Sequence, residues 1–347
     1  MGTATNQRQV NLELLRICAI LLISLMHGIK SACNSPFILN DIAHTLVNAF
    51  GNMGVTAFIL LSGYFGIRFR FSKLVIMWCT VLVYSLLIFS IDSWQTHIPI
   101  QSAVYLQGLY TALTPITSGT WWFITSYFIV FMLSPLLNLG AQNMTRKQFQ
   151  YLLGVLLLFY SLSPTFLLHS VSGTPYGKGT ENMILAYFIG RYLALHGIPA
   201  KLQQHAGALF VGCGLIVFVI DFVTNAPYFM AKDHNLFIIL GAIGMFLSFH
   251  KTKGNFGMLN SIILKGASYV FPVYLLNWWL INLLEPYYAR YAADFRFLPY
   301  LLMSQITVVI VSVIIESVRR IILDRPIWHF ADWAERKAGR YLPSSNN

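Results

Sequence analysis

Arg16 and His27 stand eleven residues apart in the first apolar stretch, and they are the residues of this chain best suited to chemistry. On an α-helix, eleven residues make about three turns, so both side chains fall on nearly one face, about 16 Å apart along the axis. A guanidinium presents a planar fork of donors that matches phosphate oxygens. An imidazole, with an ordinary pKa of about 6.5, takes up or gives up a proton near neutrality. The pair thus combines an anion-binding group at one depth with a general base at another. The spacing also suits a bland alternative, in which Arg16 snorkels to headgroups and His27 caps a neighbouring backbone.

In the second stretch His44, Asn48, Asn52 and Thr56 step along one helix face at four-residue intervals. Asn52 and Thr56 read as packing glue between helices, whereas His44 and Asn48 suit either glue or a role in orienting His27. A basic cluster follows, Arg68, Arg70 and Lys73. It reads as positive punctuation after a span or as a contact for a phosphorylated group. Cys18, Cys33, Cys79 and Cys213 lie far apart, have no metal-ligand spacing and read as packing residues. No metal site is expected. The run from Gly173 to Lys178 is one residue short of a phosphate-binding loop.

The elements that must carry these residues are membrane helices. The chain of 347 residues is 56% hydrophobic and 10% charged, with a mean hydropathy of +0.63. A soluble domain carries about a quarter charged residues, which excludes a soluble enzyme, a nucleic-acid-binding module and a disordered chain. Apolar runs of membrane-crossing length predict an all-α, polytopic transmembrane bundle of about ten spans. They fall near 11–30, 42–65, 73–91, 119–140, 149–169, 181–196, 205–224, 234–250, 268–285 and 298–318. The segment 99–113 is too short and polar to span, and reads as interfacial or re-entrant. A single membrane domain over 1–347 is expected, with a short N-terminus 1–10 and a tail 319–347. Glu13 and Arg16 within the first run, and Lys30 before Cys33, argue against a cleaved signal.

Of the 23 Lys and Arg residues, the ten-span arrangement puts only Lys30, Lys178, Lys232, Arg290 and Arg296 on one side. The others, among them Arg8, Arg146, Lys253 and Arg340, fall on the opposite side, which the positive-inside rule makes cytoplasmic together with both termini.

Together these residues resemble the acyltransferase-3 family of integral membrane acyltransferases. Arg16, ten intervening residues and His27 look like its first-span signature. Gly51 to Val55 through Phe58 to Leu61-Ser62-Gly63-Tyr64-Phe65 resembles its second-span motif. Arg70-Phe71-Ser72-Lys73 is similar to its Arg-x-x-Arg element, with Lys for the second Arg. Trp121-Trp122-Phe123, Leu133-Ser134-Pro135, Tyr187-Phe188-Ile189-Gly190 and Tyr274-Leu275-Leu276-Asn277 follow in the family's order. Asn277 departs from the His that many members carry there. Glu316 and Asp324 both fit the acidic residue usual near the end of the last span. Some relatives carry an added esterase-like domain, but only a short tail follows the last expected span here, so the chain is expected to work without one.

The resemblance implies transfer of an acyl group, most often acetyl, from cytoplasmic acyl-CoA to a hydroxyl of a cell-surface or lipid-linked carbohydrate, at the inner (cytoplasmic) membrane. Arg16, Arg68, Arg70 and Lys73 would hold the CoA phosphates. His27 would act as general base or as acyl carrier, supported by His44, Asn48 and Glu316. The partners are then acetyl-CoA or another acyl-CoA as donor substrate, the carbohydrate acceptor and the bilayer, with no nucleic acid and no permanently bound cofactor; the oligomeric state is not set. Aromatic residues on the acceptor side, such as Trp94, Tyr110, Trp121 and Tyr287, suit sugar stacking or the interfacial belt of any membrane protein. Two other classes share this composition: a transporter or flippase for lipid-linked sugars, and a non-catalytic subunit of a polysaccharide synthase.

Overall fold

The computed structural model describes residues 9–171, 174–252 and 256–338, apart from the side chain of Pro175. Arg8, Gly173, Lys253 and Arg340 lie outside the described residues. Every regular element described is helical: α1 (Val10–Gly28), α2 (Ile38–Phe65), α3 (Phe71–Gln95), α4 (Ala103–Leu113), α5 (Trp122–Asn143), α6 (Arg146–Leu157), α7 (Thr180–His196), α8 (Ala200–Gln204), α9 (Ala206–Val223), α10 (Leu236–Lys251), α11 (Leu259–Ala267), α12 (Val270–Ala289) and α13 (Phe297–Ala338).

Side chains start several of them. Thr145 and Gln148 form a reciprocal capping box at α6, Ser102 caps α4 and Asn235 caps α10, each satisfying amide hydrogens that the first helical turn leaves unpaired.

Each of the ten expected stretches coincides with a helix. Among the described residues, seven helices are long and apolar enough to cross a membrane, α6 counting with the π-helical turns that carry it on through Leu158–Leu167, and α11 with α12, bent by 61°, makes an eighth. The two left over, α7 and α10, have 17 and 16 residues. Ten spans are therefore compatible with the fold, while length and composition single out seven or eight. Large apolar side chains such as Leu215, Val219, Leu302 and Ile306 stand exposed on α9 and α13, where lipid is their natural surrounding. The protein is a multi-pass membrane protein.

Within the tail expected from 319 onward, residues 319–338 continue α13, whose 42 residues extend about 63 Å, roughly twice the hydrocarbon core. Arg, Ile and Leu dominate residues 319–325, and Pro326 lies inside the helix.

The chain divides into two compact units, 1–66 with 141–313 and 67–140 with 314–347. In the first unit α2 packs against α1, α7, α9 and α10. The crossing of α2 and α7 requires glycine on both sides: a Cβ on Gly63 would collide with the Tyr187 backbone, and one on Gly190 with the Leu60 carbonyl oxygen. The second-span motif and the Tyr187–Gly190 motif are thus the two faces of one close helix contact. In the second unit α3 packs against α4, and Asn138 of α5 donates to the Ile67 carbonyl at 2.8 Å.

Candidate active site

Helix α1 carries Glu13, Arg16 and His27 from one end of the first unit to the other. At the first end Arg16 Nη1 donates to Glu13 Oε1 at 2.9 Å and Oε2 at 3.0 Å, and the arginine side chain stays 33% exposed. The pair holds a guanidinium at the surface with its direction fixed. The same end gathers Asn11, which donates to the Phe249 carbonyl at 2.9 Å, and the Tyr64 hydroxyl, 2.9 Å from His250 Nε2.

At the far end, α12 supplies the neighbours of His27. The imidazole meets the Trp278 indole edge to face, with centroids 5.3 Å apart. Asn277 lies beside it, 1% exposed, with its carboxamide in interacting range of the imidazole but in no hydrogen bond of close geometry among the described residues. His27 Nδ1 is buried with no close hydrogen-bond partner among the described residues. The 3₁₀ turn that follows α1 braces this arrangement. Lys30 Nζ reaches Glu285 Oε2 at 2.9 Å and Asn282 Oδ1 at 3.0 Å, and sits 4.6 Å from the Trp278 centroid. Ser31 donates to Glu285 Oε1 at 2.5 Å, and Tyr288 donates to the Gly28 carbonyl at 3.0 Å. A cation over an indole face adds attraction, so the ring is held by Lys30 as well as by its T-shaped contact with the histidine.

His44 and Asn48 make other pairings. His44 Nε2 lies 2.9 Å from the Tyr228 hydroxyl, Asn48 Nδ2 donates to the His44 carbonyl at 2.8 Å, and Asn52 Nδ2 donates to the carbonyls of Asn48 and Ala231. This polar stripe satisfies backbone four residues back and anchors the connection between α9 and α10. That connection places Asp233 and His234 at the same end as His27: the Asp233 amide donates to the Tyr176 carbonyl at 3.0 Å. The Lys178 ammonium is in electrostatic reach of both His27 and Asp233.

The connections carrying Lys30, Lys178, Lys232 and Arg290 therefore meet at one end, joined also by Ser35 and Asn40, which donate to the Ala292 carbonyl at 2.6 and 2.8 Å. These are the segments that the charge pattern assigns to one side.

The remaining candidates belong to the second unit. Arg68, Arg70 and Lys73 are exposed, Arg70 as the extended residue preceding α3. Glu316, 2% exposed, accepts from Tyr84 at 2.5 Å, from Arg319 at 2.6 and 2.9 Å and from Arg320 at 2.6 Å, and Arg319 reaches on to Asp324 at 3.0 Å. Glu316 is thus the hub and Asp324 the outer end of one ionic network. No group of three or more His, Cys, Asp or Glu with metal-binding geometry occurs among the described residues.

Sequence reasoning noted Asn277 only as a departure and missed Trp278, Tyr228, Asp233 and His234 as neighbours of the site. The legible signal was the run Asp233-His234-Asn235 at the start of an apolar stretch, where three polar residues exceed what one cap needs.

A family model described as an acyltransferase domain, that of acyltransferase family 3, matches residues 9–317. No curated protein and no solved structure matches the chain.

Proposed function

The chain belongs to the acyltransferase-3 family and is a membrane acyltransferase; from that premise we propose that it moves an acyl group, acetyl in the first instance, from acyl-CoA to a hydroxyl of a cell-surface or lipid-linked carbohydrate. The observation that carries this reading is the arrangement along α1. A surface guanidinium stands at one end, and at the other an imidazole whose buried Nδ1 has no close hydrogen-bond partner among the described residues, the two about 16 Å apart on one helix face.

Arg16 binds phosphate of the CoA, and the pantetheine arm runs along α1 toward His27. Arg68, Arg70 and Lys73 serve the same phosphates on this reading, which for them rests on sequence. The acceptor O–H gives its proton to His27 while its oxygen attacks the thioester carbonyl. The new C–O bond forms, the C–S bond breaks, and the proton passes from His27 to the departing thiolate. A stepwise route, in which His27 carries the acyl group between thioester and acceptor, uses the same atoms. Trp278 and the Lys30–Glu285 pair fix the imidazole plane, and Asn277 is placed to donate to the developing oxyanion. Both termini lie in the cytoplasm in this scheme, with the His27 end facing the acceptor.

The test is hydrolysis of labelled acetyl-CoA by the purified protein in detergent. It should proceed with the native chain and vanish with His27→Ala. Comparison of surface polysaccharide from native and deletion cells by NMR, before and after mild alkali, then identifies the ester. Equal hydrolysis with and without His27 would refute the scheme.

A further inference from the structure

The connection between α9 and α10 is fixed at more points than a surface turn needs. The Asp221 carboxylate accepts from the amides of Met230 at 2.6 Å and Ala231 at 3.1 Å. Asn52 donates to the Ala231 carbonyl at 3.1 Å, the Asp233 amide donates to Tyr176, and Thr165 accepts from the Leu236 amide at 2.9 Å. Gly177, at φ +74°, lies so close to His234 that a Cβ there would be 2.6 Å from its backbone nitrogen. Four separate segments therefore hold this connection.

What they hold in place is a buried carboxyl group without a hydrogen-bond donor among the described residues. Asp233 is 2% exposed, and among the described residues neither of its oxygens accepts a hydrogen bond and His234 Nδ1 beside it is also unpartnered. Burying a carboxyl without donors is costly, and native structures retain such a group where something outside the protein supplies the donors. Burial pushes the Asp233 carboxyl up to about 7, against the pull of Lys178, so the acid is poised between accepting and donating forms. Lys178 links the group to the reaction centre, since it acts on both Asp233 and His27. The donors a carboxyl needs here are neutral ones, because Lys178 and Lys232 already supply positive charge nearby.

We propose that Asp233 anchors the acceptor: its two oxygens bind neighbouring hydroxyls of a neutral polyhydroxyl ring and so turn the hydroxyl to be acylated toward His27. The proposal rests on the acyltransferase scheme for His27. Asp233 takes no part in opening the thioester, so it separates acceptor use from donor use.

Two readouts on one variant test this. Asp233→Asn keeps the shape but replaces one acceptor oxygen by a donor. Acetyl-CoA hydrolysis by the purified variant, in which water replaces the acceptor, should stay within about twofold of the native rate. Transfer of radiolabelled acetyl from acetyl-CoA into alkali-labile carbohydrate, measured in membranes of the producing cells with their own acceptor, should fall about twentyfold or more, as expected for a site built around hydroxyl hydrogen bonds. Transfer within about twofold of native overturns the proposal. So does parallel loss of hydrolysis and transfer, which would make Asp233 a residue of fold or donor binding. Hydrolysis that survives His27→Ala in the native background overturns the His27 scheme, and the Asp233 proposal with it.

Discussion

The imidazole of His27 and the indole of Trp278 meet at 89° with their centroids 5.3 Å apart, joining the outermost turn of α1 to the middle of α12 across 251 positions of sequence. An edge-to-face pair of this kind is worth about 0.5–1.5 kcal/mol beyond burial, and it fixes the plane of the ring that must receive a proton. Trp278→Ala should lower acetyl-CoA hydrolysis by about three- to tenfold through kcat, with KM little changed. Trp278→Phe, which keeps an aromatic edge partner, should retain most of the rate. A Trp278→Ala protein with native kcat would show that the contact is packing alone.

Arg16 and His27 have separable roles, since phosphate contacts act on ground-state affinity and a general base acts in the transition state. Arg16→Ala, and Arg70→Ala combined with Lys73→Ala, should weaken CoA binding measured by calorimetry. His27→Ala should bind CoA as the native protein does and hydrolyse no thioester. Equal loss of affinity in all three proteins would contradict the division.

The depth of the base matters as much as its presence. Ile23→His combined with His27→Leu moves the imidazole down by about 6 Å on the same helix. Ile23 is 3% exposed and packs near Gly54 of α2, so the shifted ring faces a packed wall. Misplacement by about 1 Å already costs about a hundredfold, so this protein should be inactive in acetyl transfer at native membrane levels. His27→Gln should be inactive too. Substantial turnover in either one would sink the assignment.

The contact between α2 and α7 predicts a stability effect. Gly190→Ala drives a methyl group into the Leu60 carbonyl and the Tyr64 amide nitrogen, both backbone atoms that yield only if the helices part. A loss of about 1–3 kcal/mol follows, visible as a lower Tm in detergent. Gly154→Ala, where a Cβ meets nothing within 4 Å, is the matched control and should leave Tm unchanged or slightly raised. Equal behaviour of the two proteins would mean that the crossing is looser than described.

Asp233 and His234 should respond to pH with opposite signs. Burial raises the Asp233 carboxyl from 3.8 to about 7. Between those values the folded protein keeps a proton that the unfolded chain releases, so stability declines as pH rises through the window. Burial, aided by the Lys232 charge, lowers His234 from 6.5 to about 4. There the unfolded chain takes up a proton that the folded protein refuses, so stability declines as pH falls below 6.5. Relative to native protein, Asp233→Asn should therefore gain Tm at alkaline pH and His234→Asn at acidic pH. Thermal scans across the range decide it, and parallel Tm curves for all three proteins would contradict both assignments.

The amino-acid sequence alone determined the helical class, the helix positions, the shared face of Arg16 and His27 and the family. The first three follow from local composition or from the 3.6-residue period, which fixes what one helix presents along its own surface, and the family from motifs standing in a fixed order. It also held the Gly63 and Gly190 motifs, though not that they touch. Helix ends were less legible: α13 runs on to Ala338 because nothing in its chemistry stops it where apolarity does. Only the tertiary structure decided which faces meet. Asn277 and Trp278 come to His27 from about 250 residues away, while His44 turns to Tyr228 and Glu316 to Tyr84, Arg319 and Arg320. Such pairings depend on how helices cross and on where a folded connection returns its polar groups. Periodicity within a segment carries no information about either, because the energy that selects them arises between segments distant in sequence.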